Sequence, residues 1–529
     1  MMSGEWDTIV IGAGLGGLTA AAKLVKARQR VLILEKNPHL GGTAYVYQRK
    51  GFTFPMGPLG FSSPRLIEDI LHDLDERGDL TCDRVHYYLR AFDLELPLSL
   101  PFPAMTKELT RYFPHESQAI KRFFEDVEAV VALSQLADTN VESIPAGRVA
   151  QTSASEYLSS SVQDLRLRRI LGSLGTKEPY TNFPLQAAMW NLMCKEGIWY
   201  PRGGLRSFCE NLARLIVGGS RASICRDERR DQGGGASTGV IKLRSEVKRI
   251  LVAEGRVLGV ILTDGTAIPS ASVISNADYK TTFTRLLEAK VSARWRRAVS
   301  KAKQTKSIVQ VCLGVDNSQI DLSAFREASR LIYRRSHGDA VPNEEIDWSK
   351  SEVDLGSFAG QEMEVSLWSK EDRNLSPIGG EVIVIRTEAP YSHFARFRLG
   401  RGQRRPDYYD YKIRLAQALI DETKHLMPGL EKAILVMDVA TPLTFEDQGG
   451  RIEGAIAGWS WDYENFHDYR PRELVLTSIK GLYMAGYQAF SALFMGGVLT
   501  AMESGCRAAT ALLHNVAPIE EIMGLGSNQ

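Results

Sequence analysis

The run Thr8-Ile9-Val10-Ile11-Gly12-Ala13-Gly14-Leu15-Gly16-Gly17 decides the fold. Four apolar or β-branched residues make a buried strand, a glycine-rich turn follows, and residues 18–27 carry helix-forming side chains. A second apolar run, Val31-Leu32-Ile33-Leu34, ends in Glu35. Strand, turn, helix, strand and acid fall at the spacing of a dinucleotide-binding βαβ unit. Gly12 permits the tight turn, Gly14 lets main-chain N–H groups meet a pyrophosphate, and Gly17 lets the helix lie close to the strand. Leu15 and Gly16 sit at the positive helix end that faces the phosphates. Glu35 is placed to accept hydrogen bonds from a ribose.

The chain has 529 residues, enough for a dinucleotide-binding domain and a substrate domain. Its 64 basic and 63 acidic side chains nearly cancel, so no global field draws in nucleic acid. The six cysteines, Cys82, Cys194, Cys209, Cys225, Cys312 and Cys506, form no CxxC pair, which argues for reduced thiols and against a metal site. The first strand follows Met1 almost at once, and no apolar run reaches the ~18 residues that span a bilayer. The expected location is cytoplasmic, with peripheral membrane contact left open. Residues 96–105, where Leu96, Leu98, Leu100, Phe102 and Met105 are interrupted by prolines, read either as a packed loop or as a rim that docks on lipid.

Beyond Glu35 and Lys36 the chain continues to Gly41-Gly42-Thr43 and then Gly51-Phe52-Thr53-Phe54-Pro55-Met56-Gly57. This EKxxxxGG extension and GFxFxxG segment resemble the FAD-binding start of the flavoenzyme family that includes carotenoid and phytoene desaturases, carotenoid isomerases, retinol saturases and amine oxidases. Two departures stand out: Thr43 replaces the usual Arg of desaturases and amine oxidases, and Pro55 replaces an Asp. Near the other end, Gly481-Leu482-Tyr483-Met484-Ala485-Gly486 followed by Gly496-Gly497-Val498 resembles the family's closing strand and helix. The resemblance implies FAD as cofactor, with Lys36, Gly41, Gly42, Thr43, Gly486, Gly497 and Val498 at its site. It also implies that the strand at Val247 approaches the adenine through its main chain.

The expected fold is α/β, with a discontinuous Rossmann-type domain from residues 1–65, 196–290 and 441–529. A mixed α/β substrate domain is expected from 66–195, read as helical, and from 291–440, with a six-stranded antiparallel sheet as the arrangement in relatives. By resemblance the flavin's reactive face is walled by apolar side chains, the pocket candidates being Trp459, Tyr487, Phe490, Phe494 and Met495, with Trp461 and Tyr463 near them. No Ser/His/Asp constellation is evident, so the catalytic residues are left unassigned and the difficult chemistry falls to the flavin. His86, His115, His337, His393 and His467 are isolated. No second dinucleotide fingerprint follows the first, and the electron donor or acceptor stays open. The resemblance implies an oxidoreductase acting on C–C or C=C bonds of a polyene or isoprenoid lipid. The alternatives are a flavin amine oxidase and a prenyl-lipid-binding protein of the GDP-dissociation-inhibitor type.

Overall fold

The computed structural model describes residues 5–74, 80–91, 93–137, 153–173, 183–218, 224–225, 239–287, 291–335, 346–350, 353, 355–358, 361–460, 472–491 and 497–519. Six strands, β1 (Thr8–Ile11), β2 (Val31–Leu34), β3 (Ile224–Cys225), β4 (Gly239–Lys242), β5 (Val273–Ser275) and β6 (Leu482–Met484), form one sheet in the order β6-β5-β1-β2-β4-β3. Every pairing is parallel. Such a sheet is covered on both faces, which is why β1 and β2 are unbroken runs of buried residues. Helices α1 (Leu15–Lys26) and α2 (Gly497–Leu513) pack so closely that a Cβ on Gly505 would stand 2.2 Å from the Gly16 carbonyl oxygen.

A three-stranded antiparallel sheet, Val247–Ala253, Arg256–Leu262 and Ala267–Pro269, stands beside the parallel one. Its first turn places both Glu254 and Gly255 at positive φ, 49° and 70°, the backbone a two-residue hairpin of this hand requires.

A second large sheet has seven strands rather than six. Its order is Ile434–Ala440, Ser307–Asp316, Gly380–Ala389, Met363–Leu367, Arg330–Tyr333, Tyr87–Ala91 and Leu94–Pro97. One pairing, Arg330–Tyr333 with Tyr87–Ala91, is parallel, and the others are antiparallel. Helix Asp407–Thr423 lays Tyr408, Tyr411, Leu415 and Leu419 on it. Residues 66–195 are thus not purely helical. Leu89 and Ala91 alternate with outward side chains, and Leu94 and Leu96 do the same, a period of two that is hidden by the helices after it.

The same geometry favours the packed reading of residues 96–105 over the lipid-docking rim. Leu96, Leu98, Phe102 and Met105 are buried, packed in a core with Phe123, Phe124 and Trp190: Leu96 is on the inward face of strand Leu94–Pro97, and the amphipathic helix Phe102–Tyr112 turns Phe102 and Met105 inward. No helix among the described residues is long and apolar enough to cross a membrane.

One buried ion pair ties this sheet to the cofactor-side sequence. The Arg330 guanidinium donates to both carboxylate oxygens of Glu371, from Nε at 2.8 Å and Nη2 at 2.7 Å, and also to Tyr87 Oη and the Leu59 carbonyl. Its side chain and that of Glu371 are 2% and 6% exposed. Removing one partner strands a charge in the interior, which costs about 3–5 kcal/mol. Glu371→Gln is therefore expected to lower stability by that amount, read as a reduced urea midpoint at unchanged slope.

Candidate functional site

A cavity of about 980 Å³ opens where β1, β2, β5 and β6 end. That is the carboxyl edge of a parallel sheet, where the strand order places ligand sites in doubly wound folds. Its floor is the glycine loop. Gly12 takes φ +93°, which side chains with a Cβ avoid, and α1 begins at Leu15 with no side-chain cap and no acid in its first turn. The first N–H groups of α1 are thus left for an anion from outside the chain.

Glu35 ends β2 at the cavity lip with only 4% of its surface exposed. Its Oε2 accepts from the Ala13 amide and its Oε1 from the Asn37 amide, both at 2.8 Å. These bonds fix the carboxylate beside the glycine loop, while burial, only partly offset by the two amides and Lys36, pushes its pKa up. Burial, with Arg401 nearby, lowers that of Lys36. Val247 lines the same end.

Among the residues expected at the cofactor, Gly12, Gly14, Leu15, Gly16, Glu35, Lys36, Gly41, Gly42, Thr43, Val247, Gly486, Gly497 and Val498 all line this cavity. Gly17 does not. It lies beneath the turn, where a Cβ would come 2.1 Å from the Gly12 carbonyl oxygen.

The pocket candidates divide. Tyr487 is on the wall. Trp459 and Phe490 are withdrawn into the interior: Trp459 donates from Nε1 to the Gln488 carbonyl at 2.9 Å and meets Tyr279 edge-on, and Phe490 lies under the Arg507 guanidinium. Phe494 and Met495, with Trp461 and Tyr463, lie outside the described residues. The described wall is also more polar than the expected apolar one, since it carries Asp278, Arg285, Arg451 and Gln488.

Arg451 answers the departure at Thr43. Its Nη2 donates to Thr43 Oγ1 at 2.8 Å, its Nη1 donates to the carbonyls of Ala455 and Ile456, and its guanidinium stacks 4.1 Å from the centre of the Tyr487 ring. A cation thus stands at Thr43 although the sequence places none beside the paired glycines. Nothing in the local sequence signals this, because the two residues meet only through the fold. Asn276, which follows β5, was equally silent: its side chain lies against Gly14, Gly16, Gly17 and Gly486 and separates the glycine loop from the end of β6. His393 is remote from the cavity, bonded to the Trp348 carbonyl and to Tyr411 Oη.

A family model described as an NAD(P)-binding Rossmann-like domain matches residues 10–74. The chain is 26% identical to a chloroplastic prolycopene isomerase of Daucus carota over 92% of this chain and 77% of that protein. It is 27% identical to a phytoene desaturase of Fusarium fujikuroi over 91% and 85% respectively. The chain is a homologue of carotenoid isomerases and desaturases. An oxidoreductase from Methanosarcina mazei shares the fold, with a TM-score of 0.61 at 17% identity over 94% of this chain and 99% of that one.

The glycine loop tolerates no added carbon at its centre. A Cβ on Gly16 would lie 2.6 Å from Asn276 Oδ1 and 2.8 Å from both the Ala501 carbonyl oxygen and the Gly486 nitrogen. Gly16→Ala is expected to cost about 1–3 kcal/mol by overpacking, measured by chemical unfolding of the ligand-free protein.

Proposed function

We propose that this protein is an FAD-dependent oxidoreductase that desaturates, saturates or isomerises C–C and C=C bonds of a polyene or isoprenoid lipid. The observation that carries the reading is the reach of the similarity. Relatives named for prolycopene isomerisation and phytoene desaturation match over nine-tenths of the chain, so the likeness includes the seven-stranded sheet as well as the dinucleotide unit.

The cavity supports the cofactor. A glycine cradle, an uncapped helix end and a buried carboxylate at the ribose position are the groups a flavin adenine dinucleotide requires. In this reading α1 and the loop Gly12–Gly14–Gly16 hold the diphosphate, Glu35 the ribose, and Val247 the adenine side. Gly41, Gly42, Thr43, Gly486, Gly497 and Val498 border the remainder. Bound there, the flavin supplies hydride or electron exchange. Residues 1–65, 196–290 and 441–529 serve the cofactor, and 66–195 and 291–440 the substrate. The protein's own part is to orient the lipid and keep water from the reacting bond.

The visible absorption spectrum of the purified protein tests the cofactor, and conversion of prolycopene or phytoene in detergent micelles tests the substrate. A colourless protein that takes up no added FAD would sink the reading. Gly14→Val is expected to abolish flavin binding, since even its Cβ would approach Asn276 Nδ2 to 2.9 Å and the branched carbons occupy the diphosphate's approach. Glu35→Ala is expected only to weaken it, by about tenfold or more for the loss of charge-assisted hydrogen bonds worth ~1.5–3 kcal/mol. Titration of the apoproteins with FAD reads both.

A further inference from the structure

Asp278 follows β5 and lines the cavity beside Tyr487 and Gln488, which follow β6. In the sheet, β5 and β6 lie on one side of β1, and β2 with Glu35 lies on the other. Asp278 is therefore on the other side of β1 from Glu35.

Its two carboxyl oxygens have different circumstances. Oδ1 caps the short helix Tyr279–Thr281, accepting from the Thr281 amide at 3.0 Å. Oδ2 is buried and makes no hydrogen bond of normal length and angle, although the Ile452 amide faces the carboxyl, and the whole residue is only 7% exposed. A helix cap explains the first oxygen and leaves the second unused. At two other helix starts in this chain, Ser153 and Ser292 provide the same bond with a single hydroxyl. The groups facing Asp278 are the Tyr487 hydroxyl, itself buried and unpartnered, the Lys280 and Arg451 cations, and the Ile452 amide. The hydrogen bonds of Arg451 run to Thr43, Ala455 and Ile456, and toward Asp278 it acts through its charge. A charged, unpartnered carboxylate oxygen would be costly to keep there. Burial outweighs the two amides and two cations, and the pKa is raised.

We propose that Asp278 Oδ2 is the proton-transfer atom of this site, exchanging a proton with a carbon of the bound polyene. The inference rests on the function proposed above. In isomerisation the carboxyl O–H bond breaks and a C–H bond forms at one end of a C=C, using its π pair. The neighbouring carbon becomes a cation delocalised along the polyene, and the weakened bond rotates. The new C–H bond then breaks, its electron pair restores the C=C, and the proton returns to Oδ2, with nothing oxidised or reduced. In desaturation, for which a bound flavin would supply the hydride acceptor, Oδ2 would start as the carboxylate and take the proton from the carbon adjacent to the one losing hydride, that C–H electron pair becoming the new π bond.

Asp278→Asn tests this cleanly, because asparagine still caps a helix but carries no carboxyl proton. Flavin content and melting temperature should match wild type, and conversion of prolycopene or phytoene should fall about 10²–10⁴-fold. Asp278→Glu, which restores a carboxyl, should recover part of that loss. For isomerisation, which starts from the acid form, the wild-type rate should decline as pH rises through the raised pKa, and the variant should lack that limb. In the flavin-free protein, the infrared band of a protonated carboxyl should disappear in Asp278→Asn, a readout independent of turnover. A variant that keeps its flavin and converts either polyene at the wild-type rate, or an unchanged infrared spectrum, overturns the proposal and leaves the proposed function standing. A wild-type protein that binds no flavin, or converts neither polyene, overturns that function and this proposal with it.

Discussion

The structure depends on main chain meeting main chain around the side chain of Asn276. The glycine loop after β1, the start of α1 and the end of β6 converge on that one amide, and α2 presses on α1 from behind through Gly505. Such contacts exist only where Cβ atoms are missing. An ordinary side chain at Gly16 or Gly17 would force apart the elements that make the cavity floor. The empty space above the loop and the tight packing below it are therefore consequences of the same residues. Folding stability and ligand capacity are coupled at this point, since helix α1 must be held down for its N–H groups to face outward.

The two large sheets carry different work. The parallel sheet ends at the cavity and supplies backbone, glycines and one fixed carboxylate. The seven-stranded sheet brings Arg386 to the cavity wall, where it donates to Gln310 and to the Gly57 carbonyl, and the short hairpin strand Arg398–Gly400 brings Arg398, paired with Glu446 and Asp447. A cavity bounded by main chain on one side and by tied-down side chains on the other presents few groups free to move. Its polar atoms without partners, Asp278 Oδ2, Tyr487 Oη and Gln488 Nε2, gather toward β5 and β6. Buried polar groups are normally satisfied, so this local shortage marks where a bound molecule has most to interact with.

Legibility in the sequence followed locality. The βαβ unit could be read because its strand, turn, helix and acid lie within Thr8 to Glu35, and because β1 and β2, being buried, are unbroken apolar runs. Tyr87–Ala91 and Leu94–Pro97 escaped because short alternating strands stand before a long helical stretch, and their partner strand begins only at Arg330. At the cavity, the placement of the glycines and of Glu35 was legible because it is set by backbone and neighbouring residues. Arg451, Asn276 and Asp278 were not, for each gains its meaning from a residue distant in the chain. Aromatic side chains misled in the other direction. Trp459 and Phe490 have the composition of a ligand wall, yet their large apolar surfaces are better removed from water in the interior.

The order of strands in the parallel sheet has a consequence for folding. Strand β1 lies between β2 and β5, and β5 has as its outer neighbour β6, which begins only at Leu482. The helix that packs on α1 comes later still, at Gly497. The apolar strands β1 and β2 therefore stay without their outer partners until residues far along the chain are in place. Contacts this remote in sequence form slowly and leave unpaired edges exposed in the meantime. Completing this sheet is thus a late step in folding, set by the contacts most distant in sequence.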